Sequence, residues 1–130
     1  MTGETIMIVE DNLVNLKLAQ VFLKKQGYHV ISATDANEAL MLLKDNKPQL
    51  ILMDLQLPGI DGLQLTKLLK ANPQTRHIMV IALTAYAMKG DEDKAKQAGC
   101  DAYMTKPFDT RELPKLINRL LNKELVTDRT

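Results

Sequence analysis

The chain is poor in cysteine and aromatics: one Cys, no Trp, three Tyr and two Phe in 130 residues. Cys100 has no partner for an internal disulfide, so the fold must rely on packing, as expected in a reducing compartment. No apolar run approaches the roughly 20 residues that a membrane helix requires. The opening Met-Thr-Gly-Glu-Thr is polar and leads straight into an apolar segment, unlike a secretory leader. An excess of either charge is missing too: 17 Lys and Arg against 16 Asp and Glu leave +1. That balance argues against direct nucleic-acid or membrane binding. No repeat or low-complexity tract interrupts the chain. What is present, 45% hydrophobic and 25% charged residues, is ordinary for one globular domain, expected in the cytoplasm. At this length about two-thirds of the unfolded surface is buried on folding, enough for a core without staples.

Two kinds of segment alternate. Short apolar runs lie at Ile6 to Val9, Val30 to Ala33, Leu50 to Met53, Ile78 to Leu83 and Ala102 to Met104. Several lack polar alternation, the mark of parallel strands covered on both faces. The second run, from Tyr28, is mixed and suits a sheet edge. Between the runs are amphipathic stretches. Asn12 can cap a helix that runs to about Gln26 and stops at Gly27. Asp35 and Glu38 have capping-box spacing, followed by Ala36, Ala39, Leu40 and Leu43 on one stripe. Leu65, Leu68 and Leu69 form a third stripe that ends near Asn72-Pro73. The last helix carries Leu113, Leu116, Ile117, Leu120 and Leu121, with Pro114 placed to delay or kink its start. The fourth, within Met88 to Ala98, offers little but Met88, Ala95 and Ala98 to a core, which predicts a loosely held, mobile element. Five strand–helix repeats with right-handed crossovers predict an α/β fold, a doubly wound (βα)5 three-layer sandwich. The domain is expected over residues 1–123, with 124–130 a polar tail. The strand methionines Met7, Met53, Met79 and Met104 read as core filler, and His29 and His77 as surface or packing residues.

In a parallel sheet every strand ends on the same side, where ligands bind. The residues just past the strand ends therefore converge: Glu10 and Asp11, then Asp54, Thr84 and Lys106. Each has an ordinary explanation as a helix start or a loop residue, Asp54 excepted, because it follows Leu50-Ile51-Leu52-Met53 without a break. Together they point to chemistry. Three carboxylates at one edge repel unless a cation joins them, and oxygen donors with water suit Mg²⁺, with Mn²⁺ as a substitute. A hydroxyl and an ammonium opposite are what phosphoryl oxygens require. A carboxylate can itself be the nucleophile, which marks Asp54 for an aspartyl phosphate.

With these residues the sequence resembles the response-regulator receiver domains of two-component signalling. The resemblance rests on Val9-Glu10-Asp11-Asn12, Met53-Asp54-Leu55-Gln56-Leu57-Pro58-Gly59, Asp61-Gly62, Ala82-Leu83-Thr84-Ala85 and Gly99-Cys100-Asp101-Ala102-Tyr103-Met104-Thr105-Lys106-Pro107, in family order. It implies a flavodoxin-like fold with strand order 2-1-3-4-5. It implies Asp54 as phosphoacceptor, with Mg²⁺ held by Glu10, Asp11, Asp54 and the backbone carbonyl of Gln56. Lys106 would bind the phosphoryl group, before a cis bond to Pro107, and Thr84 and Tyr103 would form the switch pair. The implied partners are a histidine kinase or histidine phosphotransfer protein as donor, and a downstream protein on the face of helix 4, strand 5 and helix 5. Gln56 and Tyr86 would flank the path of hydrolytic water, with the Tyr86 ring shielding the phosphoryl group, while small Ala85 would leave room for the donor.

Three functions fit. One is a stand-alone phosphoryl-accepting regulator, favoured because strand 1 begins within a few residues of Met1 and no output domain follows. Another is a receiver cut from a hybrid sensor kinase or longer regulator, since Glu10-Asp11-Asn12 with Asn15 resembles both groups. The third is a Mg²⁺-dependent phosphohydrolase with an aspartate nucleophile, disfavoured because Gln56 stands where such enzymes usually carry a general acid. An FMN-binding flavodoxin is weaker still, because the acidic first loop repels phosphate.

Overall fold

The structure is a computed structural model that describes residues 3–57, 59–84, 90–106 and 108–129, with side chains described as far as residue 122. Pro58, Ala85, Tyr86, Met88 and Pro107 lie outside the described residues, and with them the expected shielding by Tyr86, the room at Ala85 and the cis bond at Pro107. The elements follow the predicted alternation: β1 (Thr5–Val9), α1 (Leu13–Lys25), β2 (His29–Ala33), α2 (Ala36–Asp45), β3 (Leu50–Asp54), α3 (Gly62–Ala71), β4 (Met79–Thr84), α4 (Asp91–Ala98), β5 (Ala102–Thr105) and α5 (Glu112–Arg129). All strand pairs are parallel, in the order β2-β1-β3-β4-β5. This is the flavodoxin-like sandwich.

Strand alternation divides the core in two. Ile6, Ile8, Leu50, Leu52, Ile81 and Leu83 face Leu16, Ala19 and Leu23 of α1 and Leu113, Ile117 and Leu120 of α5. Met7, Val9, Ile51, Met53 and Val80 face the opposite way, onto Ala36 and Ala39 of α2 and Leu65 and Leu69 of α3. Met7 and Met53 are filler, as expected, and both histidines are exposed.

Local chemistry sets the helix starts. Asn12 Oδ1 accepts the Asn15 N–H at 3.0 Å. Asp35 Oδ1 accepts the Glu38 N–H at 2.8 Å, and Glu38 Oε1 reaches back to the Thr34 N–H at 2.7 Å, one residue earlier than a standard capping box. Asp109 Oδ1 accepts from the Arg111 and Glu112 N–H groups. Pro114 therefore falls in the first turn of α5, where a missing N–H costs nothing, and α5 starts on time.

One expectation changes. Leu68 is half exposed, and Thr66 takes its inward place, satisfied by donating to the Gly62 carbonyl at 2.8 Å. The sheet-facing side of α3 comprises Gly62, Leu65, Thr66 and Leu69, and Leu68 lies off it. Helix α4, Asp91–Ala98, falls within its expected window. Helix α5 spans Glu112–Arg129.

Candidate functional site

Four strand ends build the site. Glu10 and Asp11 follow β1, Asp54 ends the central strand β3, Thr84 ends β4, and Lys106 follows β5. Glu10, Asp54 and Thr84 are buried, whereas Asp11 is exposed. The start of α3 presses on the same strand end: a Cβ at Gly62 would run into the Asp54 carbonyl oxygen and lie 2.8 Å from the Leu55 Cα. Only a residue without a side chain allows this approach.

Lys106 organises the charges. Its Nζ lies 2.8 Å from Glu10 Oε1 and 3.0 Å from Asp54 Oδ2. The remaining oxygen of each carboxylate takes a backbone donor: Glu10 Oε2 accepts the Asn12 N–H at 3.1 Å, and Asp54 Oδ1 accepts the Gln56 N–H at 2.9 Å. Burial pushes the Glu10 carboxyl above its ordinary value. Lys106 and the Asn12 N–H pull it back without cancelling the rise, and Asp54 adds to it. For Lys106, burial alone would lower the ammonium, but Glu10 and Asp54 outweigh it and hold its pKa above the ordinary lysine value. Two carboxylates share one ammonium, and Asp11 adds a third negative charge.

The donor set fits a hard divalent cation. One oxygen from each of Glu10, Asp11 and Asp54 falls within 4.8 Å of the others, the one such cluster among the described residues. All three are carboxylates, with no thiolate or imidazole, which suits Mg²⁺ or Mn²⁺ better than Zn²⁺. Gln56 sits at the rim with its side chain exposed.

The remaining candidates lie beside this cluster. Thr84 is buried at the end of β4, and its carbonyl accepts the Lys106 N–H at 2.7 Å. Tyr103, half-buried on β5, feels the carboxylates of Asp91 and Glu92 at the start of α4; burial first, then those charges, raise its phenol. The structure thus gathers Glu10, Asp11, Asp54 and Lys106, sets Thr84 next to them, and places Tyr103 farther along β5 towards α4.

Sequence reasoning missed two features. Leu13, Val14, Leu18 and Val21 leave α1 with an aliphatic face 43–70% exposed, next to the pocket. The signal was available: α1 carries more apolar residues than one buried stripe can use. The other is Lys70, whose Nζ meets Asp101 Oδ2 at 3.0 Å. Nothing in local spacing marks a contact between residues 31 apart.

Comparison with known proteins agrees with this geometry. Residues 6–118 match the response regulator receiver domain family. The chain is 46% identical over 117 residues to the polar-differentiation response regulator DivK of Brucella anthropi, covering 90% of this chain and 93% of that one. A putative response regulator from Chloroflexus aurantiacus superposes with a TM-score of 0.88 at 31% identity, over 92% of this chain and 98% of the other. The receiver domain of a sensor histidine kinase from Pseudomonas aeruginosa superposes with a TM-score of 0.85 at 36% identity, over 93% and 99%, and was solved with a magnesium ion coordinated in its active-site cleft.

Proposed function

The chain belongs to the response regulator receiver family, and we propose that it takes a phosphoryl group from a phosphohistidine of a kinase or phosphotransfer protein onto Asp54, in a Mg²⁺-dependent step. The observation that carries this reading is the buried Asp54 carboxylate at the end of the central strand, 3.0 Å from an ammonium and grouped with two further acids. An oxygen of Asp54 attacks phosphorus, the P–N bond to the donor imidazole breaks, and its electron pair returns to the imidazole nitrogen. Lys106 leaves its carboxylate partners for a phosphoryl oxygen, and the Thr84 hydroxyl takes another. A cation held by Glu10, Asp11, Asp54 and the Gln56 carbonyl would neutralise the acids and the incoming phosphoryl charge.

Two surfaces support the partner assignment. The exposed aliphatic face of α1 adjoins a groove lined by Leu18, Ala19, Leu83 and Phe108, with Glu10 and Lys106 at its polar end. A protein that brings phosphohistidine to Asp54 covers that face. The downstream partner reads α4, β5 and α5, where Tyr103 adjoins the acidic start of α4. The position two after Asp54 is the amide Gln56, which cannot act as a general acid, so the reading is a phosphoacceptor rather than a turnover hydrolase. Among the described residues no helix is long and apolar enough to cross a membrane, and the proposed location is the cytoplasm.

Incubation with acetyl phosphate and Mg²⁺ tests this. One phosphoryl group per chain is expected, lost in Asp54→Asn and on chelation with EDTA. Label that persists in Asp54→Asn would overturn the assignment, and multiple turnover of a phosphomonoester would favour the hydrolase.

A further inference from the structure

Strand β5 is the least buried of the four strands that carry the site. It is four residues long and lies at the sheet edge, paired to β4. Ala102, Tyr103 and Met104 are half-buried and Thr105 is exposed, whereas Val80 to Thr84 of β4 are all buried. Burial specifies the register of a strand when one face is hidden and the other is wet. A short strand half-covered on both faces lacks that constraint. Yet this register sets where Lys106 stands: Thr84 pairs with Thr105, and the Lys106 N–H reaches the Thr84 carbonyl at 2.7 Å.

The start of β5 supplies the constraint. The Asp101 N–H donates to the Val80 carbonyl at 2.8 Å, and Asp101 Oδ2 accepts the Val80 N–H at 2.8 Å. One residue thus takes both backbone groups of Val80, its carboxylate standing in for a strand carbonyl. A side chain, unlike a backbone carbonyl, needs its direction held. Lys70 of α3 holds it: Nζ lies 3.0 Å from Asp101 Oδ2 and donates to the carbonyls of Ile78 at 2.7 Å and Arg76 at 3.2 Å, so all its protons are used. The lysine stem passes against Gly99, where a Cβ would lie 2.7 Å from Lys70 Cγ. The ammonium is bolted to the chain just before β4, and the carboxylate to β4 itself.

We propose that Lys70 is a positioning residue for phosphoryl binding: by holding Asp101 across Val80 it fixes the register of β5, and with it the place of Lys106 beside Asp54. This rests on the reading of Asp54 as phosphoacceptor, because the phosphoryl group is what Lys106 is placed to meet. From Asp101 to Lys106 the chain advances about 16 Å at the rise of a strand, with Ala102 to Thr105 in unbroken register against Ile81 to Thr84. A shift at the first residue is therefore felt at the last. Lys106 Nζ stands 2.8 Å from Glu10 Oε1 and 3.0 Å from Asp54 Oδ2. A backbone shift of about 1 Å would have to be absorbed by its side chain, and misplacement on that scale costs a site much of its strength.

The affinity of the full chain for beryllofluoride, a phosphoryl mimic bound together with Mg²⁺, tests this by fluorine NMR. Lys106→Ala should weaken binding about thirtyfold, the scale of a charged hydrogen bond, and Lys70→Met about fivefold. The double variant should bind no more weakly than Lys106→Ala, because Lys70 acts only through Lys106. Affinity for Mg²⁺ alone should be the same in Lys70→Met as in wild type, since the acids follow β1 and end β3. Wild-type beryllofluoride affinity in Lys70→Met, losses that multiply in the double variant, or a parallel fall in Mg²⁺ affinity would overturn the proposal. Should Lys70→Met fail to fold, Asp101→Asn, which keeps an acceptor for the Val80 N–H, takes its place in the same cycle. Failure of beryllofluoride to bind wild type would count against the phosphoacceptor reading, and the positioning is then judged in the resting protein by hydrogen exchange. The Lys106 amide should exchange at least about tenfold faster in the variant than in wild type, while the Leu55 amide, bonded to the Leu83 carbonyl at 2.9 Å, keeps its rate. Equal Lys106 rates would overturn the positioning role.

Discussion

Strand β5 has a lysine–carboxylate contact at each end, and the two contacts are built on opposite principles. Past its C-terminal end, Lys106 faces two carboxylates, with a third acid beside them. Before its N-terminal end, Asp101 meets Lys70, which has one carboxylate and two backbone carbonyls. Both lysines are mostly buried, with side chains 16% and 20% exposed. In the first contact anions outnumber the cation, so a second cation, and with it a phosphoryl group, can rearrange the pairing at little cost. In the second, charge is balanced and neutral carbonyls fix the direction of the ammonium, so no competitor is invited. A lysine among surplus carboxylates is set to change partners, and a lysine among carbonyls is set to stay.

Asp54→Asn should show the largest effect, complete loss of labelling by acetyl phosphate. It should melt no lower than the parent, because it relieves charge crowding. A marked fall in melting temperature would show that the carboxylates are a stabilising network instead.

The next effect separates the lysines. Lys106→Ala and Lys70→Met should each cost about 2 kcal/mol, the scale of a charged hydrogen bond. Added Mg²⁺ should close most of the gap between Lys106→Ala and the parent, because the metal replaces the missing cation, and leave the gap between Lys70→Met and the parent unchanged, because both keep the same acidic site. Denaturant midpoints with and without Mg²⁺ read this directly, and equal rescue would erase the distinction. With beryllofluoride, Lys106→Ala should also fail to shift the α4 amides.

The smallest effect concerns Asp109, a carboxylate held by backbone N–H groups. Its carboxyl is held below the ordinary value by the Arg111 and Glu112 N–H groups. A depressed folded value contributes stability above the unfolded pKa and loses it as pH falls through the folded one. Asp109→Asn should therefore be slightly less stable than the parent at neutral pH, with the gap closing well below 3.8, the carboxyl's unperturbed value. A gap that is independent of pH would mean that charge plays no part in the cap.

The strands were readable because their residues leave no alternative: Leu50 to Met53 offers no polar face, so the run must be covered on both sides. Asp54 was readable for the same reason, a carboxylate placed where burial is unavoidable. Asn12 and Asp35 announced their helices through short-range bonds that need only local geometry. Leu68 was misjudged because three leucines fit a stripe equally well whichever of them the sheet contacts, and tertiary packing chose Thr66 instead. The bolt at Lys70 was invisible for a deeper reason. It joins a helix end, a loop and a strand start, and each of its residues taken alone looks like ordinary surface charge.

The ladder between β4 and β5 runs without slack from the Asp101 N–H on Val80 to the Lys106 N–H on Thr84. Anyone splicing this domain with a relative to build a chimera should treat residues 101–106 as one indivisible cassette. Removing one residue inside it would draw Lys106 back by about 3.3 Å and turn each later side chain to the opposite face. Junctions placed before Gly99 or beyond Phe108 leave that spacing untouched, whereas substitutions at Ala102 or Met104 alter the packing of the segment without altering its length.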